Sequence, residues 1–360
     1  MYEKFYRLSE KKLFAIIQLR EHLMIRFNTK FITTVAVAAL AMFSSPNLDA
    51  QDLRVGAGKN VGGMIVFVAQ GKGIFAKHGL NTKVVVRKTG AALTKSLAAG
   101  EIDFAPATFT NLPVALEKGI KLKGVVGYVG GHFNSPTSDG NIGIVARGKG
   151  INSLKDLKGK KVGVKFGSAG DLYLQEILRK NGMSKRDIKR INVSPSSYVS
   201  TIDSGGVDAV VAWEPSLTSA LDKIKGSKLI SRGGGHVCFC AGMHGKPEVV
   251  YKDRKRTQAF VDAMAEAAHF LRDPKNADEV AEIGSRFLRG TAPSLVKRSI
   301  KHIVYDARIG GGTMAAFKAS VKLLIAQKKM KKPYDPARYL DTSFVDDTIK
   351  RHPAWFSDIK

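Results

Sequence analysis

Cysteine is nearly absent: Cys238 and Cys240 are the only two in 360 residues. That excludes a scaffold held together by many disulfides. The pair itself, one residue apart, allows either a strained bridge or two free thiols. Acidic side chains are scarce beside basic ones. There are 31 Asp and Glu against 58 Lys and Arg, a net charge of +27 spread along the chain rather than packed into one tail. Such a surplus suits nucleic acid, an anionic membrane surface or anionic solutes, and it also fits an organism whose proteins are basic in general. No RRM, zinc-finger or helix-turn-helix pattern is found, so nucleic acid is not expected as a partner. No repeat of short period appears, which argues against a solenoid.

Long apolar runs are missing too, with one telling exception. Residues 31–43, FITTVAVAALAMF, carry no charge, follow Arg26 and Lys30, and precede SSPNLDAQD. Thirteen residues are too few for a bilayer span of about 20. A positive flank, an apolar centre and small residues near Ala50 instead form the pattern of an export signal. Residues 1–50 are therefore expected to be absent from the mature chain, with Met24 a better start than Met1. No cysteine follows the apolar centre, so a lipid anchor there is not expected. From Gln51 on, 51 basic and 27 acidic side chains remain, a net of +24. The mature chain is expected to be exported to the periplasm.

From Asp52 onward, strand and helix patterns alternate. LRVGAG (53–58), TKVVVR (82–87), IDFAPA (102–107) and LKGVVGYV (122–129) read as strands. The segments between them read as helices closed by glycine. After a turn-rich link at 130–140 the alternation resumes: IGIVARG (142–148), KKVGVK (160–165), a helix over 169–182, IKRINV (188–193), VDAVVAW (207–213) and KLISRG (228–233). From Lys246 helical patterns dominate. The spacing predicts an α/β architecture of two blocks, each a mostly parallel sheet flanked by helices, with a helical tail. A second turn and a further strand are expected within GGGHVCFCAGMHG (233–245), which could return the chain to the first block.

Several of these stretches resemble one family. AQGKGIFAKHGLNTKVVV, LAAGEIDFA, LKGKKVGV, FGSAGDLYLQEIL, VDAVVAWEPS and YDPARYLDTSF are similar, in order over nearly all of 52–345, to segments of periplasmic solute-binding proteins of nitrate/sulfonate/taurine ABC importers. The resemblance implies a two-lobed fold of the type II periplasmic-binding-protein kind. The first lobe would hold 51–140 and 246–360. The second would hold 141–245, including hinge strands around 141–148 and 236–243. It also implies a small anionic solute bound between the lobes, an organosulfonate such as taurine ahead of nitrate, and delivery to a membrane permease. The chain is expected to act as a monomer, without cofactor and not as an enzyme.

The candidate contacts follow. In KFGSAGDLYLQEIL, small residues precede a helix whose first N–H groups lack partners, so Ser168, Ala169 and Gly170 are expected to cradle an anion. Asp171, one residue on, would dilute that pull. The alternative is a plain capped turn. A nucleophilic serine would need a marked base and the G-x-S-x-G spacing, and neither is present. Trp213 and Glu214 close an apolar run at a strand end that opens on a cleft. Trp213 would form a wall, and Glu214 would pair with an amine or hydrogen-bond a polar solute; the alternative is that Trp213 is core and Glu214 caps the following helix. Lys59 and Asn60 follow the first strand, and Thr108, Phe109 and Thr110 follow the third. Ser197 and Tyr198 open a helix of the second block.

On a strand, His236, Cys238 and Cys240 of HVCFC would share one face and suit a soft metal. Zinc sites use C-x2-C spacing, so no metal is expected, with those three the candidates. The same stretch resembles part of the cysteine-rich segment of thiamine-pyrimidine synthases, which share this fold. A pyrimidine-binding or synthase-like role is therefore the alternative. In those enzymes a Lys and a His occur after the third strand, and here the residues are PATFTNLP. Without that lysine no Schiff base to pyridoxal phosphate forms there.

Overall fold

The runs FAPAT, IGIVA and AVVAW are strands, buried at nearly every residue, as short apolar segments between two helical layers must be. The computed structural model describes residues 51–109, 111–130, 139–238 and 240–359. The expected export segment lies outside them. No helix among the described residues is long and apolar enough to cross a membrane.

In chain order the strands are β1 (Gln51–Gly58), β2 (Leu80–Arg87), β3 (Phe104–Thr108), β4 (Lys123–Val129), β5 (Ile142–Ala146), β6 (Lys161–Val164), β7 (Lys189–Asn192), β8 (Ala209–Trp213), β9 (Lys228–Arg232) and β10 (Ala241–Gly245). They form two five-stranded sheets, in the orders β2-β1-β3-β10-β4 and β7-β6-β8-β5-β9. β1 pairs in parallel with β2 and β3, while β10 is antiparallel to both β3 and β4. The second sheet repeats the scheme: β6 is parallel to β7 and β8, and β5 is antiparallel to β8 and β9. In each sheet four strands thus share a direction, and the one that opposes them is the strand that has just arrived from the other sheet. The architecture is the two-lobed, helix-flanked one read from the sequence, and both sheets are mixed.

Ala241–Gly245, at the end of the block expected to hold 141–245 with its hinge strands, is hydrogen-bonded into the first sheet and returns the chain to it. His236, Val237, Cys238 and Cys240 of HVCFC, however, lie outside any strand. The segment between β9 and β10 contains Gly233, Gly234 and Gly235, all with positive φ (55°, 104° and 68°), a path open to glycine and strained for other residues. It is tied down by Asp139, at the end of the first crossover. The Asp139 carboxylate accepts from the N–H groups of Gly235 (3.0 Å), His236 (2.7 Å) and Val237 (3.2 Å). Tyr173 adds a hydrogen bond from its hydroxyl to the Gly233 carbonyl (2.9 Å).

Cys238 and Cys240 are joined as a disulfide, with Cα atoms 4.9 Å apart. The His236 ring packs edge-on against Tyr173 at 5.6 Å. The three candidate metal ligands therefore do not share a strand face, and the thiols are bonded to each other.

The helical tail returns to the first sheet. Phe260, from the helix Arg254–Arg272, stacks on Phe104 of β3 at 4.3 Å. Near the C-terminus Gly124 of β4 bridges to Leu340, so YDPARYLDTSF lies along that sheet's edge.

Candidate functional site

In parallel sheets, side chains at the carboxyl ends of the strands face the crevice that ligands occupy. Here those ends converge on a cavity of about 140 Å³. Gly58 closes β1, Lys88 follows β2, Pro106 and Thr108 close β3, Tyr128 and Val129 close β4, Lys165 follows β6, and Trp213 closes β8. All of them line the cavity.

Helix starts complete it. Thr89 caps the helix Gly90–Ala98, its hydroxyl accepting from Ala92 N–H at 3.2 Å. Ser168 caps the helix Ala169–Lys180, accepting from Asp171 N–H at 3.3 Å. Gly90, Ala91 and Ala169, in the first turns of these two helices, line the cavity. Helix geometry leaves the first N–H groups without partners inside the helix, and they carry the positive end of its dipole. The 3-10 turn Val61–Gly63 adds Gly62, held by Asn60, whose Oδ1 accepts from Gly62 N–H at 2.8 Å. Among the described residues, Lys88 and Lys165 contribute the lining's two formal charges, and no carboxylate side chain lines it.

The residues expected from sequence divide clearly. Asn60, Thr108, Ser168, Ala169 and Trp213 are brought together on the cavity. The Ser168 hydroxyl already donates to the Lys165 carbonyl at 2.6 Å, so its proton is not available to a solute. Gly170 sits one layer behind, where a Cβ would lie 3.5 Å from the Trp213 ring. Lys59 lines a separate groove next to the cavity, with Lys88, Arg289 and Trp213. Phe109 is fully buried against Phe317 of the tail, ring centroids 5.4 Å apart, and belongs to the core. Thr110 lies outside the described residues.

Tyr198 is buried behind the site. Its ring meets Trp213 edge-on at 5.7 Å, and its hydroxyl accepts from Lys165 N–H at 3.3 Å, so it positions two lining residues. Ser197, immediately before it, does not line the cavity.

Glu214 is the clearest correction. It is 0% exposed and does not face the cavity. Arg232 donates to it at 2.7 Å, Thr218 through its hydroxyl (2.8 Å) and its N–H (3.1 Å), and Ser299 at 3.2 Å. The residue after the strand turns inward to cap the next helix. Asp171 is likewise withdrawn. Arg190 lies 2.5 Å and Lys329 3.5 Å from its oxygens, and Gly167 N–H donates to it at 3.0 Å. Its charge is therefore neutralised beside the helix start rather than directed into the cavity.

Sequence reasoning missed Lys88, Thr89, Asn111, Tyr128 and Lys165. Tyr128 is the most informative. It lines the cavity, is 3% exposed, and its buried hydroxyl has no hydrogen-bond partner among the described residues. A buried hydroxyl left unpaired costs on the order of 1–3 kcal/mol, so such groups call for an explanation. The position after VVG at a strand's carboxyl end was the available signal.

The comparisons with known proteins agree with this architecture. Residues 60–277 match the family model described as NMT1/THI5 like. A binding protein of Brucella abortus (strain 2308) is 26% identical over 294 residues, covering 77% of this chain and 86% of that protein. Among solved structures, the alkanesulfonate-binding protein of Xanthomonas axonopodis pv. citri, bound to MOPS, superposes with a TM-score of 0.68 at 23% identity, covering 81% of this chain and 98% of that one. The periplasmic nitrate-binding protein of Synechocystis PCC 6803 gives a TM-score of 0.69 at 15% identity, covering 86% and 91%. The relatives also include 4-amino-5-hydroxymethyl-2-methylpyrimidine phosphate synthases of Uromyces fabae and Schizosaccharomyces pombe. The chain belongs to the NMT1/THI5-like family and has the periplasmic-binding-protein fold.

Proposed function

We propose that this chain is the exported solute-binding component of an ABC importer and that its solute is a small anion, an organosulfonate or nitrate. The observation that carries this reading is the lining itself. Two helix N-termini, a glycine-rich turn and two lysines surround one cavity that no carboxylate shares. Preorganised N–H groups and cations in a crevice hold an oxyanion without reorganisation. The two sheet units would close on it by hinge motion about the crossovers, and the closed form would be presented to a membrane permease. The basic surface would steer anions inward, an effect that weakens with salt.

Binding is favoured over catalysis because the lining, among the described residues, offers no His, Cys, Asp or Glu to move a proton near neutral pH. The names of the sulfonate- and nitrate-binding structures support the same direction. Thermal unfolding of the purified chain with nitrate, ethanesulfonate, choline and glucose tests the reading. A ligand at about 100 times its Kd adds about 2.7 kcal/mol, so one or both anions should raise Tm by several degrees. Stabilisation by choline or glucose alone would refute it.

A further inference from the structure

We infer that the solute is an anion carrying no ammonium group, and that the Tyr128 hydroxyl donates a hydrogen bond to it. The inference rests on the reading of this cavity as an anion site and narrows it. Taurine, expected first from the sequence, is thereby placed behind its amine-free analogues.

The argument begins with where the carboxylates are. Glu214, the residue positioned by sequence to receive an amine, is enclosed by Arg232, Thr218 and Ser299. Asp171, at the helix start beside Ser168, is held by Arg190 and Lys329. Both negative charges within reach by sequence are thus already neutralised, and neither side chain lines the cavity. An ammonium entering here would leave water without a counter-charge and would meet Lys88 and Lys165. Aromatic faces are uncharged surfaces that also attract a cation. That of Phe166 already carries Arg190, whose guanidinium carbon is 4.9 Å from the ring centre. Trp213 shares its cavity with the two lysines.

Tyr128 supplies the second half. Among the described residues, its hydroxyl is a buried polar group of the lining without a hydrogen-bond partner. Burial raises its pKa well above the ordinary phenol value, so the proton stays on the oxygen and is available to donate. An acceptor oxygen of a sulfonate, nitrate or carboxylate satisfies it, in the same field as the helix N-termini.

Three probes of nearly equal size separate the possibilities: ethanesulfonate, 2-hydroxyethanesulfonate and taurine, titrated calorimetrically into the ligand-free full chain at pH 7. The expected result is affinity for the first two at least ~10-fold above that for taurine, since taurine's ammonium is desolvated without a partner. Asn111, which lines the cavity, offers the converse experiment. Asn111→Asp installs a carboxylate and should narrow or invert the ratio. Tyr128→Phe should weaken ethanesulfonate ~5–10-fold with Tm of the free protein unchanged or raised, since an unpaired buried hydroxyl is removed. Taurine binding as tightly as ethanesulfonate overturns the exclusion of amines while leaving the anion reading intact. Unchanged affinity in Tyr128→Phe overturns the role of that hydroxyl. Failure of all three probes and of nitrate to bind overturns the anion reading and this inference together.

Discussion

Replacement of Glu214 offers the sharpest test of the geometry, because the sequence leaves it two roles, solute contact or helix cap, and the structure shows the second. In the structure it receives four hydrogen bonds from Arg232, Thr218 and Ser299, and it is 0% exposed. Glu214→Ala would leave the Arg232 guanidinium, only 18% exposed, without its counter-charge. It would also uncap the helix Ser216–Lys223 at Thr218 N–H. Breaking a buried pair on one side costs about 3–5 kcal/mol, of which about 1 kcal/mol is the cap. For a protein of this size each kcal/mol lowers Tm by about 2 °C, so a fall of about 6–10 °C is expected by calorimetry. Glu214→Gln keeps the shape and an acceptor oxygen and should lose about 1–3 kcal/mol. Its ratio of ethanesulfonate to taurine affinity should stay within about twofold of the parent, since no charge that a solute meets has changed. An altered ratio, or a Tm for Glu214→Ala within about 1 °C of the parent, would refute the placement of this carboxylate.

Other consequences can be checked on the same material. Ser168→Ala removes the cap at Asp171 N–H and should cost about 1 kcal/mol in urea unfolding, yet change anion affinity little, because the hydroxyl proton is given to the Lys165 carbonyl. His244 lies fully buried in β10, and burial pushes its pKa down to about 3 against only a weak opposing hydrogen bond to the Ala105 carbonyl. Between about pH 6.5 and 3 only the unfolded chain takes up this proton, so stability must fall as pH drops through that window. The loss should be about 2–3 kcal/mol from pH 6.5 to 4.5, and His244→Gln should flatten this part of the urea-denaturation profile.

How much of this was legible in the sequence depended on how local the cause was. The alternation of apolar runs with glycine-stopped helices marked nearly every strand of both sheets, because burial between two helical layers leaves its signature in the run itself. Ser168 and Trp213 were legible for the same reason: a cap and a strand end are local features. Glu214 was not, because its partners Arg232 and Ser299 are 18 and 85 residues away and only the fold brings them to it. Phe109 was misread for a similar reason, its packing surface being Phe317 in the distant tail. HVCFC alternates like a strand, yet the three glycines before it and the hold of Asp139 on its backbone set another course. Thr89 carried a readable cap signal, and its place at the cavity became visible only when β2 took its position beside β1.

The grip of Asp139 on residues 235–237 has a consequence for how the molecule moves. Two separate connections between rigid bodies permit bending about several axes, and sliding as well. Three hydrogen bonds at Asp139 fasten the end of the first connection to the second, so the two cannot twist independently while those bonds hold.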